Sequence, residues 1–333
     1  MNVSFFWVSK GQSLSRLLLG NIPLGPMQTA IFFVLTAFGL TYITRWVQSV
    51  RNRDHAESGN EARSEVGNRS FPLLATIGFV TNFFDTLGIG SFAPTTSWYK
   101  LQKLVPDEHI PGTLHVGHSL PVIFQAFIFI AIIEVEMVTL TTLVGAAVLG
   151  AWLGAGVVAR LPRQSIQIGM GVALLLAGGT FVMANLGFAP VGGESIGLAG
   201  IALIVGTISF FILGALHTLG IGMYAPSMIL ISLLGMNPAV SFPIMMGSAA
   251  FLMPVASVRF LKANAYEHRP SLGLVLGGVP AVIAAAFIVG SLPLTMMRWL
   301  VVLVVTYAAL AMLRSAWVER NTAMSLEKEL SDK

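Results

Sequence analysis

Apolar stretches of about 20 residues recur along this chain, and a helix of that length crosses roughly 30 Å of bilayer hydrocarbon. Charged residues make up only 10% of the 333 residues, and most of them lie between the apolar stretches. Because backbone in hydrocarbon must satisfy its own hydrogen bonds, the pattern predicts an all-α polytopic membrane protein. The predicted full spans are residues 27–48, 113–133, 138–159, 166–187, 196–216, 240–260, 272–290 and 295–313.

The formal net charge of +4 does not point to nucleic acid, because the Lys and Arg residues lie in separate loops rather than on one basic face. The chain has no cysteine, which excludes disulfides, thiolate metal ligands and a cysteine nucleophile. It also has no nucleotide-binding, zinc-protease or Ser-x-x-Lys motif. We therefore expect no cofactor, no metal and no nucleic-acid partner, and a protein that is not an enzyme.

Two nearly identical decapeptides interrupt the apolar pattern. They read DTLGIGSFAP at 85–94 and HTLGIGMYAP at 217–226, and each follows an apolar stretch. Gly costs a helix about 1 kcal/mol and Pro about 3 kcal/mol relative to Ala, so we predict that the helix breaks at each motif and restarts near Pro94 and Pro226. The glycines either approach a ligand or only let helices pack closely. The short segments that follow either cross the membrane or re-enter it.

The chain divides into two halves that follow one plan. The glycine motifs lie 132 positions apart, and the later Leu-Pro pairs at 161–162 and 292–293 lie 131 positions apart. We predict an N-terminal segment with an extra span at 1–70, a first repeat at 71–190, a second repeat at 191–318 and a tail at 319–333.

The loop charges predict that the two repeats have opposite orientations. Basic residues crowd the loop after the first span and flank the turn at 160–163, whereas the matching turn at 291–294 carries no charge. Basic loops are cytoplasmic by the positive-inside rule, so we expect an external N-terminus and a cytoplasmic C-terminus. Inverted repeats with interrupted spans at matching positions are typical of secondary transporters.

In these features the sequence resembles the sulfite exporter TauE/SafE family. The resemblance covers about residues 71–317: each half has a span that runs into Gly-x-Gly and a proline, then a Gly- and Ala-rich span, a Leu-Pro turn and a last apolar helix, at 144–179 and 276–312. It implies a bacterial cytoplasmic-membrane permease for sulfur oxyanions or organosulfonates, usually an exporter coupled to protons. Family members often carry three successive glycines, whereas this chain has GIGSF and GIGMY.

We expect a small anion to bind where the backbone is broken, because the start of each new half-helix has free N–H groups and favours negative charge. The predicted partners are this anion, protons and the lipid bilayer. The predicted substrate-binding residues are Thr86, Gly88, Gly90, Ser91, Thr218, Gly220, Gly222 and Tyr224.

Asp85 and His217 hold the same position in the two motifs, and ionisable residues inside a membrane are costly and often functional. We predict that they carry or gate a coupling proton, together with His118, which follows His115 by three positions. Alternatively, Asp85 only accepts hydrogen bonds at the turn. Glu267 and His268 are expected in a solvated loop. A passive anion channel and an intramembrane enzyme are the alternative functions.

Overall fold

The computed structural model of the protein describes residues 25–57, 70–158, 163–187, 193–217 and 222–331. Within these ranges the chain is helical and has no β-strand apart from one isolated bridge between Ser195 and Met236. Among the described residues, seven helices are long and apolar enough to span a membrane. The prediction of an all-α polytopic membrane protein is thus confirmed, while the predictions for residues 1–24, the loop at 58–69 and the basic turn at 159–162 lie outside the described residues.

Eleven α-helices cover the described ranges. They are α1 (Pro26–Glu57), α2 (Phe71–Thr86), α3 (Phe92–Leu101), α4 (Ile110–Ile132), α5 (Met137–Val158), α6 (Arg163–Asn185), α7 (Gly200–His217), α8 (Tyr224–Leu233), α9 (Ser241–Ala263), α10 (His268–Ser291) and α11 (Leu294–Ser331). Short 3₁₀ turns precede α4 and α9, at Asp107–His109 and Pro238–Val240. The first and last helices continue well past their apolar spans, because the polar residues that follow contain no Gly or Pro to end them.

The chain forms two compact units, and each unit takes helices from both halves of the sequence. Unit 1 comprises Met1–Met137 and Phe242–Leu292, and unit 2 comprises Val138–Ser241 and Pro293–Lys333. Unit 1 therefore holds α1 to α4 with α9 and α10, while unit 2 holds α5 to α8 with α11.

In unit 1, α2 and α10 touch through their backbones. A Cβ added at Gly78 would lie 2.6 Å from the Gly273 carbonyl oxygen, and one added at Gly273 would lie 2.6 Å from Leu74 Cβ. Only glycine permits this approach, because real Cβ atoms need more room. Helix α3 turns back along α2, since Tyr99 near its end shares a core cluster with Leu74 and Ile77 in the first turns of α2.

The extra helix α1 makes hydrogen bonds to the rest of unit 1 at three positions along its length. Tyr42 Oη donates to the Val116 carbonyl, Gln28 Nε2 donates to the Ile130 carbonyl at 3.2 Å, and Ser49 Oγ donates to the Leu261 carbonyl at 3.4 Å. Tyr42, Val116 and Leu261 belong to one core cluster with Trp46 and Tyr266. Helix α1 is therefore an integral part of the unit.

In unit 2, α5 and α7 cross at glycines in the same manner. Gly150 lies against the Phe211 backbone, and Gly214 lies against the Ala147 backbone. The end of α8 returns to the start of α7, because Leu198 and Leu234 both contact Gly206. Helices α6 and α11 pair side by side: Gln164 Nε2 donates to the Ala316 carbonyl at 3.1 Å, and Gly171 packs on Leu313.

Candidate functional site

The first break, residues 87–91 between α2 and α3, begins with a specific helix stop. The N–H of Ile89 bonds to the Phe84 carbonyl at 3.1 Å, and that of Gly88 bonds to the Asp85 carbonyl at 2.8 Å. This pair of bonds is a Schellman motif, and Gly88 has the positive φ of 93° that the motif requires. Gly88 therefore ends the helix. Its N–H is already bonded to the Asp85 carbonyl, so it is not free to bind an anion, although the sequence predicts Gly88 among the substrate-binding residues.

Gly90 has a different role from the glycines at helix crossings. Its φ is 90°, and a Cβ added to it would meet no atom within 4 Å. A packing role is therefore wrong for Gly90, because nothing packs against it. The open space adjoins Ser91, where α3 begins, and Pro94 lies in the first turn of α3 as the sequence predicts.

Asp85 is buried next to this break, in the last turn of α2. Gln125 Nε2 on α4 donates to Asp85 Oδ2 at 2.9 Å and to Thr86 Oγ1 at 2.9 Å. The described part of the chain contains two ion pairs, Lys100–Asp107 and His109–Glu267, and Asp85 takes part in neither. The carboxyl group thus has a hydrogen-bond donor in Gln125 but no ion-pair partner among the described residues.

A second buried chain of polar groups lies one helical turn before Asp85. Asn82 Nδ2 donates to the Gly78 carbonyl at 2.7 Å, which leaves Asn82 Oδ1 to accept from His118 Nδ1 at 2.9 Å. This orientation assigns the proton of neutral His118 to Nδ1. His118 Nε2 lies 3.3 Å from Thr95 Oγ1, which donates to the Ser91 carbonyl at 2.7 Å. The network therefore connects α2, α4 and α3 around the first break.

Sequence reasoning singled out Asp85, Thr86, Ser91 and His118, but it missed the three residues that join them, Asn82, Thr95 and Gln125. All three are fully buried. A usable signal was present, because His118 and Gln125 are seven residues apart and so share one face of α4. Polar side chains repeated at helical spacing inside an apolar span indicate a polar interior face.

The second break, residues 218–223 between α7 and α8, is described only in part. The predicted residues Thr218 and Gly220 lie outside the described residues, and His217 is the last residue of α7. Gly222 is exposed, and a Cβ added to it would meet no atom of the described residues within 4 Å. Close packing is therefore the wrong explanation for Gly222 as well.

The start of α8 repeats the start of α3. Ser227 Oγ donates to the Met223 carbonyl at 2.7 Å, as Thr95 does to Ser91, and Pro226 lies in the first turn of α8. Tyr224 opens the helix and is buried. The two halves are offset by 132 positions at the glycine motifs and by 131 at the later Leu-Pro pairs. At these offsets Asn82 corresponds to Gly214, and Gln125 corresponds to Ala256. The buried polar side chains around the first break therefore have no polar equivalents at these positions of the second half.

Two further expectations are corrected. Glu267 does lie in the loop before α10, but it is only partly solvated, because its Oε1 lies 2.8 Å from His109 Nδ1 in a half-buried pair. His268 opens α10, and its ring centre lies 5.8 Å from that of Trp46. His115 and His118 both lie on α4, and the described residues contain no group of three or more side chains that could hold a metal ion.

No protein-family model, no curated protein and no solved structure matches this chain. A proposal about function therefore rests on the geometry of the two breaks and on the resemblance of the glycine motifs to those of the TauE/SafE family.

Proposed function

We propose that the protein is a secondary transporter that moves a small sulfur-containing anion, such as sulfite, thiosulfate or an organosulfonate, across the cytoplasmic membrane with protons. The observation that carries the proposal is the buried carboxyl group of Asp85 beside a broken helix with open space at Gly90. Broken backbone and an ionisable side chain are both expensive inside a membrane, and both are typical of substrate and ion sites in transporters.

The depth of the first break supports this interpretation. Helices α2, α4 and α10 begin side by side, since Leu74 contacts Gly273 and Ser271 Oγ donates to the Thr113 carbonyl at 3.2 Å. Helix α2 has 16 residues, whereas α4 has 23 and α10 has 24. At 1.5 Å per residue, α2 ends roughly 10 Å before its neighbours. We infer that the break lies within the hydrocarbon layer and that α2 and α3 form a re-entrant hairpin.

We also infer an internal duplication of inverted orientation. Helices α3 and α8 have 10 residues each, α4 and α9 have 23 each, and α5 and α10 have 22 and 24. In this correspondence α7 matches α2, and α5 matches α10. The packing agrees with it, because α2 packs on α10 in unit 1 and α7 packs on α5 in unit 2. Such duplications are typical of secondary transporters.

The charges support a proposed orientation in the membrane. Lys100, Lys103, Lys262 and Arg269 lie at the end of unit 1 where α2, α4 and α10 begin, and a basic end is cytoplasmic. The first span then has an external N-terminus, and the tail is cytoplasmic. The chain has no native cysteine, so a single cysteine introduced at position 60 reports the side of its loop. Labelling by a membrane-impermeant maleimide from outside intact cells would overturn this topology.

The anionic substrate is supported by the resemblance to the TauE/SafE family and by the helix N-termini at Ser91 and Met223. Helix starts favour an anion by about 0.3–1 kcal/mol, and by up to about 2 kcal/mol where partly buried. A passive anion channel uses the same features, but it equilibrates its substrate and does not accumulate it. An intramembrane enzyme would yield a chemically altered product.

Uptake into proteoliposomes tests the proposal. The panel is sulfite, thiosulfate, sulfate, sulfoacetate and taurine, each with and without an imposed pH gradient, and empty liposomes give the background. We expect at least one anion to accumulate above its external concentration when the gradient is present. Asp85→Asn is expected to lose the accumulation that the pH gradient drives. Asp107→Asn is its matched control and is expected to retain it, because Asp107 is exposed in a surface ion pair with Lys100. Transport of a cation with no movement of any anion would contradict the proposal.

A further inference from the structure

We propose that the groove between α1 and α9 in unit 1 binds an anionic phospholipid, with an acyl chain along the groove and the phosphate group among three basic side chains at its end. This inference goes beyond the proposed function, and it does not depend on which substrate the protein carries. It is carried by the apolar lining of the groove, by the spacing of the basic residues and by the lack of acidic partners for them among the described residues.

The α1–α9 groove is an apolar recess with a volume of about 320 Å³. Its lining includes Phe38, Thr41 and Tyr42 on α1 and Pro254, Val255 and Val258 on α9. Val255 is 53% exposed, so the groove opens toward the surroundings of the protein rather than toward its core. Both lining segments lie within apolar spans, so these surroundings are lipid. The groove therefore suits an acyl chain.

Contacts at both ends of the groove hold the two helices side by side. The rings of Phe38 and Phe251 meet edge to face with their centres 5.3 Å apart, and Ser49 Oγ donates to the Leu261 carbonyl at 3.4 Å. Phe251 follows Phe38 by 213 positions, and Leu261 follows Ser49 by 212. The two helices are therefore parallel and keep one register along the whole groove.

Arg45 continues the lining of the groove on α1. It follows Phe38 by seven positions and Thr41 by four, and residues at these spacings share one face of an α-helix. Arg45 is exposed and lies about one turn beyond Thr41. A long basic side chain at this position extends its charged end to the membrane interface, where lipid phosphate groups lie.

Lys262 continues the lining on α9 with identical spacing. It follows Val255 by seven positions and Val258 by four, and it is exposed. Arg259, four positions after Val255, is exposed at the edge of the same face. In the register of the two helices, Lys262 lies about four residues, or roughly 6 Å, farther along than Arg45. Three positive charges therefore gather at one end of the groove.

No acidic side chain in the described part of the chain pairs with these charges. Helix α9 has no acidic residue, and the two acidic residues of α1 lie nine or more positions after Arg45. Neither of the two ion pairs described above includes Arg45, Arg259 or Lys262. A cluster of this kind between transmembrane helices is complementary to an anionic headgroup, whereas the choline group of a zwitterionic lipid adds a positive charge to it.

A single introduced thiol reports whether the groove is filled, because the chain has no native cysteine. Val255→Cys places the thiol in the groove, and Leu276→Cys on α10 is its matched control. Both positions are 53% exposed, and each lies eight residues from the end of its helix, Ala263 for α9 and His268 for α10. The measurement is the rate at which N-ethylmaleimide labels the purified full-length protein in mixed micelles.

The lipid probes are phosphatidylglycerol and phosphatidylcholine with identical acyl chains. We expect only phosphatidylglycerol to slow labelling at position 255, and neither lipid to slow it at position 276. When Arg45→Gln or Lys262→Gln is added to Val255→Cys, the phosphatidylglycerol needed for half of the protection is expected to rise about fivefold, which corresponds to about 1 kcal/mol per basic residue. Lys103→Gln is expected to leave it unchanged, because Lys103 is exposed but lies outside α1 and α9.

Equal protection of position 255 by the two lipids overturns the inference, because the basic residues then recognise no headgroup. This comparison uses neither charge variant, so it does not depend on their folding. Equal slowing at positions 255 and 276 also overturns it, since the lipid then acts on the whole micelle. Protection that rises with protein concentration in the absence of added lipid places a second copy of the chain in the groove and overturns it as well. The uptake assay measures anion transport separately, so either proposal can fail without the other.

Discussion

Substitution of Gly78 by Ala tests the helix crossing that positions the first break. A Cβ at Gly78 would lie 2.6 Å from the Gly273 carbonyl oxygen and 2.7 Å from Leu274 Cα, and both are backbone atoms that cannot rotate away. Ordinary carbon–oxygen contacts are about 3.3–3.6 Å and carbon–carbon contacts about 3.5–4.0 Å, so the helices must separate by roughly 1 Å.

The cost of Gly78→Ala has three parts. Overpacking of this kind typically costs about 1–3 kcal/mol. The bond from Asn82 Nδ2 to the Leu274 carbonyl is already 3.4 Å long, so separation of the helices breaks it, with a further loss of about 1 kcal/mol. Ala is favoured over Gly inside a helix by about 1 kcal/mol, which offsets part of the loss. The expected net destabilisation is about 1–3 kcal/mol.

Gly145→Ala is the matched control, because Gly145 lies inside α5 and a Cβ there would meet nothing within 4 Å. This variant gains the helix propensity alone, so it is expected to be up to about 1 kcal/mol more stable than the wild type. The assay is unfolding of both variants in mixed detergent micelles, followed by circular dichroism at one scan rate. Equal stability of the two variants would refute the close crossing of α2 and α10.

Three further predictions follow from the same contacts. Gly222→Trp is expected to leave thermal stability unchanged, since no described residue packs on Gly222, yet to abolish accumulation of the transported anion in proteoliposomes. Undiminished uptake would contradict a substrate path at the second break. His118→Ala removes the donor to Asn82 Oδ1 and opens a cavity, so a loss of about 2–4 kcal/mol is expected in the unfolding assay, and a loss below about 1 kcal/mol would show that the bond is not formed. His109→Gln is expected to cost at most about 1 kcal/mol, because the pair with Glu267 is only half-buried at the end of the helices; a larger loss in the same assay would mean that the pair is charged and shielded from water.

The sequence by itself determined the helices and the positions of their breaks. Apolar length decides which segments cross a bilayer, and the stop at Gly88 is a local event that depends on one residue with positive φ. Pro94 and Pro226 likewise mark new helix starts, because proline fits the first turn and not the interior. These features depend on neighbours within a few residues, so no tertiary contact is needed to predict them.

Only the tertiary structure decided which polar groups meet. Asp85 and Gln125 are 40 residues apart and come together because α4 packs against the end of α2. The same holds for Glu267, a loop residue that pairs with His109, 158 positions away in the sequence. In a membrane protein, apolar residues cover both the lipid-facing and the buried sides of a helix, so hydrophobicity does not identify the buried face. Close backbone contacts at Gly78 and Gly273 select α10 as the partner of α2, and Gly278 on α10 contacts both Asn82 on α2 and Pro121 on α4. The three helices thus pack together, and Gln125 on α4 comes against Asp85.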